Sequence, residues 1–99
     1  MRKLATESDI ASFLDRNANW SRLGIFLRSE FTATSFLAVI ELVKSVAVIA
    51  ERMDHHPDID IRWNKVLFAL STHSAGGITS LDCELATAID SVARELSGS

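Results

Sequence analysis

Two of the three histidines in this chain are adjacent, at His55 and His56 in the stretch ERMDHHPDI, and the third is His73, which ends the stretch LSTH. Imidazole is the side chain that exchanges protons near neutral pH, so histidines gathered at one site can act as general acid and general base. Carboxylates stand close by at Glu51 and Asp54. These residue types predict a proton-transfer site if folding brings the two segments together.

A β-hairpin would bring them together. The stretch DIDIRW alternates apolar and polar residues, Asn64 and Lys65 can form a two-residue turn, and VLFALST continues as a second strand. The same register carried outward places His56 across from His73, where facing Cβ atoms lie about 4.5 to 5.5 Å apart. We therefore expect the three imidazoles to lie around one recess.

The residue before a proline avoids the helical conformation, so Pro57 predicts that the preceding helix ends near His55. Glu51 stands four residues earlier, one helical turn away, and its carboxylate could orient the imidazole of His55. Two other interpretations remain open. The histidines could be surface groups that bond to free carbonyls at a helix end, or they could be zinc ligands, although adjacent histidines rarely turn toward one ion and the spacing matches no common zinc pattern.

The composition limits the class of protein. A chain of 99 residues with 47% apolar residues suits a single globular domain that spans residues 1–99. A net charge of −3 with scattered Lys and Arg argues against direct nucleic-acid binding. The longest apolar run is shorter than the roughly 20 residues that cross a bilayer, which argues against a membrane protein. One cysteine and no apolar leader favour the reducing cytoplasm.

The order of elements predicts an α+β fold. Thr6 and Asp9 fit a capping pattern for a first helix, two short strands flank Gly24, and a long helix covers about residues 34–53. After the hairpin, Thr79 and Asp82 form a Thr-x-x-Asp capping box for a final helix. The order α-β-β-α-β-β-α favours a four-stranded antiparallel sheet with helices packed on one face.

The long helix carries two neighbouring apolar stripes, one of which includes Phe36 and Ile40 and the other Leu42 and Val46. One stripe can cover the sheet while the other meets a neighbouring chain, because so small a domain has little else with which to bury both. A thicker core is the alternative explanation.

Several residues of these segments form one pattern: Glu51-x-x-x-His55-His56-Pro57, then Trp63, then Leu70-Ser71-Thr72-His73, then Asp82. The pattern resembles the signature of the pterin-4a-carbinolamine dehydratases, a family whose vertebrate member also serves as dimerisation cofactor of a homeodomain transcription factor. The resemblance covers most of the chain from the long helix onward, including WNKV, GGIT and LATAID. The chain departs from the vertebrate pattern at DIDIR, which lacks the aromatic residues found there.

The resemblance implies dehydration of the 4a-hydroxytetrahydropterin left by aromatic amino acid hydroxylases, as a step of tetrahydropterin recycling. The products are quinonoid dihydropterin and water, no metal or cofactor is expected, and the protein would be a homo-oligomer, either a dimer or a tetramer. His55 and His73 would do the acid and base work, and His56 would mainly hold the pterin. The resemblance further implies substrate-binding and supporting residues, namely Asp54, Ser71, Thr72, Glu51 and Asp82.

For two signature residues a structural role is the simpler expectation, since Asp82 lies in a capping box and Trp63 suits the core. Two alternative functions also stay open. One is a non-catalytic interaction protein that stabilises a partner's dimer through the long helix. The other is a dehydratase-like protein of molybdopterin metabolism.

Overall fold

The computed structural model describes residues 3–98. Its elements follow the predicted order α-β-β-α-β-β-α, with a short 3-10 turn before the last helix. The bounds are α1 Glu7–Arg16, β1 Ser21–Leu23, β2 Phe26–Thr32, α2 Phe36–Met53, β3 Asp58–Arg62, β4 Lys65–Leu70, the 3-10 turn His73–Ala75 and α3 Ser80–Gly98. Among the described helices, none combines the length and apolar character that a membrane span requires.

The four strands form one antiparallel sheet in the order β1-β2-β4-β3, which confirms the predicted α+β fold. The two central strands carry the buried positions at alternate residues, including Leu27 on β2 and Phe68 on β4. Helices α2 and α3 pack on each other and on β4. The core lies between these helices and the central strands.

The predicted cap of α1 is confirmed. The side chain of Thr6 accepts a hydrogen bond from the N–H of Asp9, and the carboxylate of Asp9 accepts one from the N–H of Thr6. The helix then buries Ile10 and Phe13 in the core. This anchors the N-terminal segment.

The turn of the β3–β4 hairpin lies one residue earlier than predicted. Arg62 pairs with Lys65, so the two turn residues are Trp63 and Asn64. Trp63 adopts a φ of 53° and is 76% exposed, so its expected place in the core was wrong. The residue projects from a tight turn, and a side chain at that point has no core to enter.

This displacement shifts the predicted residue pairs between β3 and β4 by two positions. The side chains of both strands therefore stay on their predicted faces. The ladder ends at the pair of Asp58 and Ala69, so the predicted pairing of His56 with His73 does not form. Beyond β4 the chain turns away from β3, and Thr72 makes an isolated bridge to Gly77 instead.

Helix α2 begins at the cap residue Ser35, whose side chain accepts a hydrogen bond from the N–H of Ala38. One face of the helix is buried, at Val39, Leu42, Val46 and Ala50. The opposite face leaves large apolar side chains exposed, at Phe36, Leu37, Ile40 and Val48. The alternative of a thicker core therefore does not account for the stripe that includes Phe36 and Ile40.

Candidate functional site

Helix α2 ends in a left-handed turn that sends the two adjacent histidines in different directions. Asp54, the C-cap, has a φ of 49° and a ψ of 45°, a conformation that Asp tolerates better than most residues. The N–H of His55 donates to the carbonyl of Ala50 at 3.0 Å. His55 is then 8% exposed, whereas His56 lies at the surface. Asp54 thus has a structural role as the helix cap.

The imidazole of His55 is held by the carboxylate of Asp82, not by Glu51 as the sequence suggested. Its Nε2 lies 2.6 Å from Oδ1 of Asp82, which is completely buried in the first turn of α3. The left-handed Asp54 turns His55 back against α3, where Asp82 meets it. Hydrogen bonds of this length between an imidazole and a carboxylate fix the orientation of the ring.

The other oxygen of Asp82, Oδ2, accepts two further hydrogen bonds. The hydroxyl of Thr72 donates at 2.8 Å and the N–H of Thr79 at 2.9 Å. An ionised carboxylate only accepts hydrogen bonds, so with Asp82 ionised the donor of this bond is Nε2 of the imidazole. The second nitrogen of the ring, Nδ1, is left for other partners.

Half of the predicted capping box is present at this point. The N–H of Thr79 donates to Asp82 as expected, but the hydroxyl of Thr79 accepts from the N–H of Leu81 at 3.2 Å. Asp82 therefore caps the helix and also orients His55. The expectation that capping alone explains this residue was incomplete.

Glu51 pairs with His56. Its Oε2 lies 2.5 Å from Nε2 of His56, with the two side chains 75% and 58% exposed. Exposed ion pairs contribute little to stability, about 0 to 1 kcal/mol. The contact orients His56 without burying it, so this imidazole stays open to a ligand.

The segment from Ser71 to Gly77 supplies the third histidine. Ser71 and Thr72 are buried, and His73 begins the exposed 3-10 turn. Among the described residues, the imidazole of His73 has no hydrogen-bond partner, so both of its nitrogens are available. The hydroxyl of Ser71 is buried and likewise lacks a partner within residues 3–98, although buried hydroxyls are usually paired.

Hydrogen bonds thus join three segments that are distant in the sequence. Asp82 connects His55, at the end of α2, with Thr72, directly before His73. The arrangement offers one imidazole fixed by a buried carboxylate, one oriented by an exposed carboxylate and one free. Such a set can deliver a proton to one atom of a ligand and remove a proton from another.

Sequence reasoning missed two features of the site. The partnership of His55 with Asp82 was not predicted, and Thr79 was considered only as a helix cap. A signal was present for the first: a carboxylate in a capping box uses one oxygen for the cap and leaves the other for a second donor.

Other candidate features lie apart from the histidines. A groove of about 400 Å³, lined in part by Phe31, Leu42 and Leu96, lies toward the N-terminal end of α2 and the C-terminal end of α3, whereas His55 and Asp82 lie at the opposite ends of these helices. Within residues 3–98, no group of three or more His, Cys, Asp or Glu side chains is arranged to hold a metal ion. Burial, and then the nearby Asp82 carboxylate, raise the pKa of the Cys83 thiol.

Comparison with known families gives one match that spans most of the chain. Residues 3–92 match the family described as pterin 4 alpha carbinolamine dehydratase. A protein of Nocardia farcinica, provisionally named a pterin-4-alpha-carbinolamine dehydratase, is 50% identical over 92 residues, which cover 93% of this chain and 97% of the relative.

Two solved structures share the fold. A protein of Brucella melitensis, described as a transcriptional coactivator/pterin dehydratase, superposes with a TM-score of 0.87 at 28% identity, covering 91% of this chain and 98% of the other. A pterin dehydratase-like protein, described as a RuBisCO assembly factor in the alpha-carboxysome, gives a TM-score of 0.62 at 19% identity over 75% of this chain and 86% of the other. The second likeness extends to the fold alone.

Proposed function

The chain belongs to the pterin 4 alpha carbinolamine dehydratase family, and from this membership we propose that it dehydrates a 4a-hydroxytetrahydropterin to quinonoid dihydropterin and water. In the cell the reaction would return pterin to the tetrahydropterin cycle. The single cysteine fits a reducing compartment, in line with a cytoplasmic location.

The reaction requires two proton transfers. The 4a hydroxyl leaves as water after it receives a proton, and the adjacent ring nitrogen loses its proton as the new carbon–nitrogen double bond forms. The lone pair of that nitrogen already helps to expel the hydroxyl, so the barrier left for the protein is modest. One general acid and one general base, each of which accelerates the reaction by roughly 10² to 10⁴, therefore suffice.

The observation that carries the proposal is the hydrogen bond between His55 and the buried Asp82. Burying a carboxylate against an imidazole is costly, and a pair of apolar residues of similar volume would often stabilise the fold as well or better. Such pairs are common at functional sites, where the hydrogen bond to one ring nitrogen fixes the tautomer and the orientation of the imidazole. With Nε2 bonded to Asp82, proton exchange with the pterin takes place at Nδ1 of His55.

His73 is the second proton-transfer group in this proposal. Its imidazole is exposed and unpaired among the described residues, and it lies directly after Thr72 in the segment that contacts Asp82. We assign the acid and base roles to His55 and His73 as a pair, without dividing them. His56, oriented by Glu51, and the unpartnered hydroxyl of Ser71 would hold the pterin ring.

A direct test measures the dehydration of synthetic 4a-carbinolamine by stopped-flow absorbance. We expect the wild-type protein to accelerate the reaction and His73→Ala to lower kcat by about 10²-fold, the lower end of the range for one general acid or base. Ser74→Ala, in the same 3-10 turn, is the matched control and should keep the wild-type rate. A wild-type protein that gives no acceleration would refute the proposal.

A second candidate function is interaction with another chain through α2. The exposed apolar face of this helix, which includes Leu37 at 74% exposure, favours it. We propose that this face mediates a homo-oligomer, either a dimer or a tetramer. Light scattering should show a multiple of the chain mass for the wild type and a smaller assembly for Leu37→Glu. Leu23→Glu, at an exposed leucine of β1, is the control; a wild-type monomer would contradict this assignment.

A further inference from the structure

Two buried threonines are hydrogen-bonded to each other next to Asp82. The hydroxyl oxygens of Thr72 and Thr79 lie 2.7 Å apart, and the two residues are 4% and 0% exposed. The hydroxyl of Thr72 donates its single proton to Asp82. The hydroxyl of Thr79 is therefore the donor in the hydrogen bond between the two threonines. The hydrogen bonds therefore run in one direction, from Thr79 through Thr72 to Asp82.

The side chain of Thr72 is connected in this way to His55. Asp82 accepts from Thr72 on Oδ2 at 2.8 Å and from His55 on Oδ1 at 2.6 Å. A carboxylate that is held on both oxygens cannot rotate without breaking a buried hydrogen bond, which is costly. The orientation of the imidazole thus depends on the threonine hydroxyl.

The main chain of Thr72 anchors the turn that carries His73. Its N–H donates to the carbonyl of Gly77 at 2.8 Å, and its carbonyl accepts from the N–H groups of Ala75 and Gly76, each at 3.0 Å. His73 is the first residue of the turn that these bonds close. One residue therefore belongs both to the contacts that hold His55 and to those that set the turn of His73.

We propose that Thr72 and Thr79 are positioning residues, whose buried hydroxyl pair fixes the imidazole of His55 relative to the turn that carries His73. The proposal rests on the proposed dehydratase function. It gives Thr72 a role other than substrate binding, which the resemblance to the family implied for this residue. The hydroxyl of Thr72 donates its single proton to Asp82 and accepts from Thr79, and the residue is 4% exposed, so a ligand could receive that proton only by breaking a buried hydrogen bond.

Replacement by valine removes each hydroxyl and keeps the branched shape. In Thr72→Val, Oδ2 of Asp82 keeps only one donor. We expect kcat to fall about 10- to 100-fold, the loss that is typical when a residue that orients a metal-bound histidine is replaced. KM should change less. Thr79→Val leaves both donors to Oδ2 of Asp82 in place, so we expect kcat to fall only about 3- to 10-fold. Serine at either position restores the hydroxyl and most of the rate, a rescue that a purely structural role in the core would not require.

Thr87→Val is the matched control. The hydroxyl of Thr87 is exposed on α3 and donates to the carbonyl of Cys83 at 2.9 Å. The same substitution there removes one hydroxyl outside the site, and kcat should stay at the wild-type value. Melting temperatures of all variants show that each is folded in the assay.

NMR of ¹⁵N-labelled protein gives a readout that does not require activity. In the wild type we expect the Nε2 proton of His55 to exchange slowly with water, because a buried carboxylate holds it. Its resonance should shift in Thr72→Val and stay in place in Thr87→Val. If Thr72→Val does not fold, the spectra of Thr79→Val and of the wild type test the positioning role instead.

Two results would overturn the proposal: a folded valine variant with unchanged kcat and an unchanged His55 resonance, or rapid exchange of the Nε2 proton in the wild type. The failure of the proposed function is a separate outcome. A wild-type protein without dehydratase activity would remove that function, while the His55 resonance would still show whether the threonines position the ring.

Discussion

Replacing Asp82 by Asn exchanges one carboxylate oxygen for an amide group that donates hydrogen bonds. Three donors converge on Asp82, at 2.6, 2.8 and 2.9 Å. The asparagine carbonyl can keep the two donors from Thr72 and Thr79, which turns the amide nitrogen toward Nε2 of His55. Two donors would then face each other, unless the proton of His55 moves from Nε2 to Nδ1.

The size of the effect follows from these contacts. All three hydrogen bonds lose their charged acceptor, at a difference of about 0.5 to 1 kcal/mol each, so the free energy of unfolding should fall by about 1.5 to 3 kcal/mol. For a chain of this length, 1 kcal/mol shifts Tm by about 4 to 8 °C, so Tm should fall by about 6 °C or more. The activity should fall further: with Nδ1 protonated, His55 loses its proposed role, and kcat should drop by roughly 10² to 10⁴.

Asp90→Asn separates these two effects. Asp90 is also a buried carboxylate of α3, and it accepts hydrogen bonds from Trp20 Nε1 at 3.0 Å and from Asn19 Nδ2 at 2.8 Å. It lies two helical turns beyond Asp82, and its hydrogen-bond partners are Asn19 and Trp20, not the histidines. We expect a comparable loss of stability with an unchanged kcat.

The assay combines thermal unfolding by circular dichroism, stopped-flow dehydration, and ¹⁵N NMR to locate the proton on His55. The result that would refute the reasoning is a folded Asp82→Asn protein with its proton on Nδ1 and the wild-type kcat. In that case the tautomer of His55 would be irrelevant to the reaction.

Other residues give independent predictions. Glu51→Gln should change the free energy of unfolding by less than about 1 kcal/mol, because its pair with His56 is exposed, while KM for the pterin rises more than kcat falls; urea titration and steady-state kinetics measure both. The raised pKa of Cys83 predicts slow reaction with a thiol reagent in the native protein and fast reaction in urea. The Arg22 guanidinium lowers the pKa of the Glu7 carboxyl. The stabilisation of the folded state by this ion pair is therefore present above the ordinary carboxyl pKa and disappears as the pH falls through the lowered value. Glu7→Gln should accordingly be less stable than wild type at neutral pH and equally stable in acid, as followed by urea unfolding.

Local signals in the sequence were enough to predict the elements and their order. The capping pair of Thr6 and Asp9, the alternation of DIDIR and the stripe of α2 each act within a few residues along the chain, where neighbouring side chains and backbone hydrogen bonds decide the conformation. The apolar face of the β3–β4 hairpin was also predictable, because a register error of two residues leaves the face unchanged. The turn itself was misplaced by one residue.

The partners of the histidines depended on tertiary structure. Glu51 is one helical turn from His55 in the sequence, yet the left-handed Asp54 ends the helix, and His55 meets Asp82, 27 residues away. The sequence determined which residue types were available for proton transfer and which elements would carry them. Only the packing of α2 against α3 and the loop after β4 decided which carboxylate holds which imidazole, because hydrogen bonds between distant segments depend on angles and distances that local periodicity does not encode.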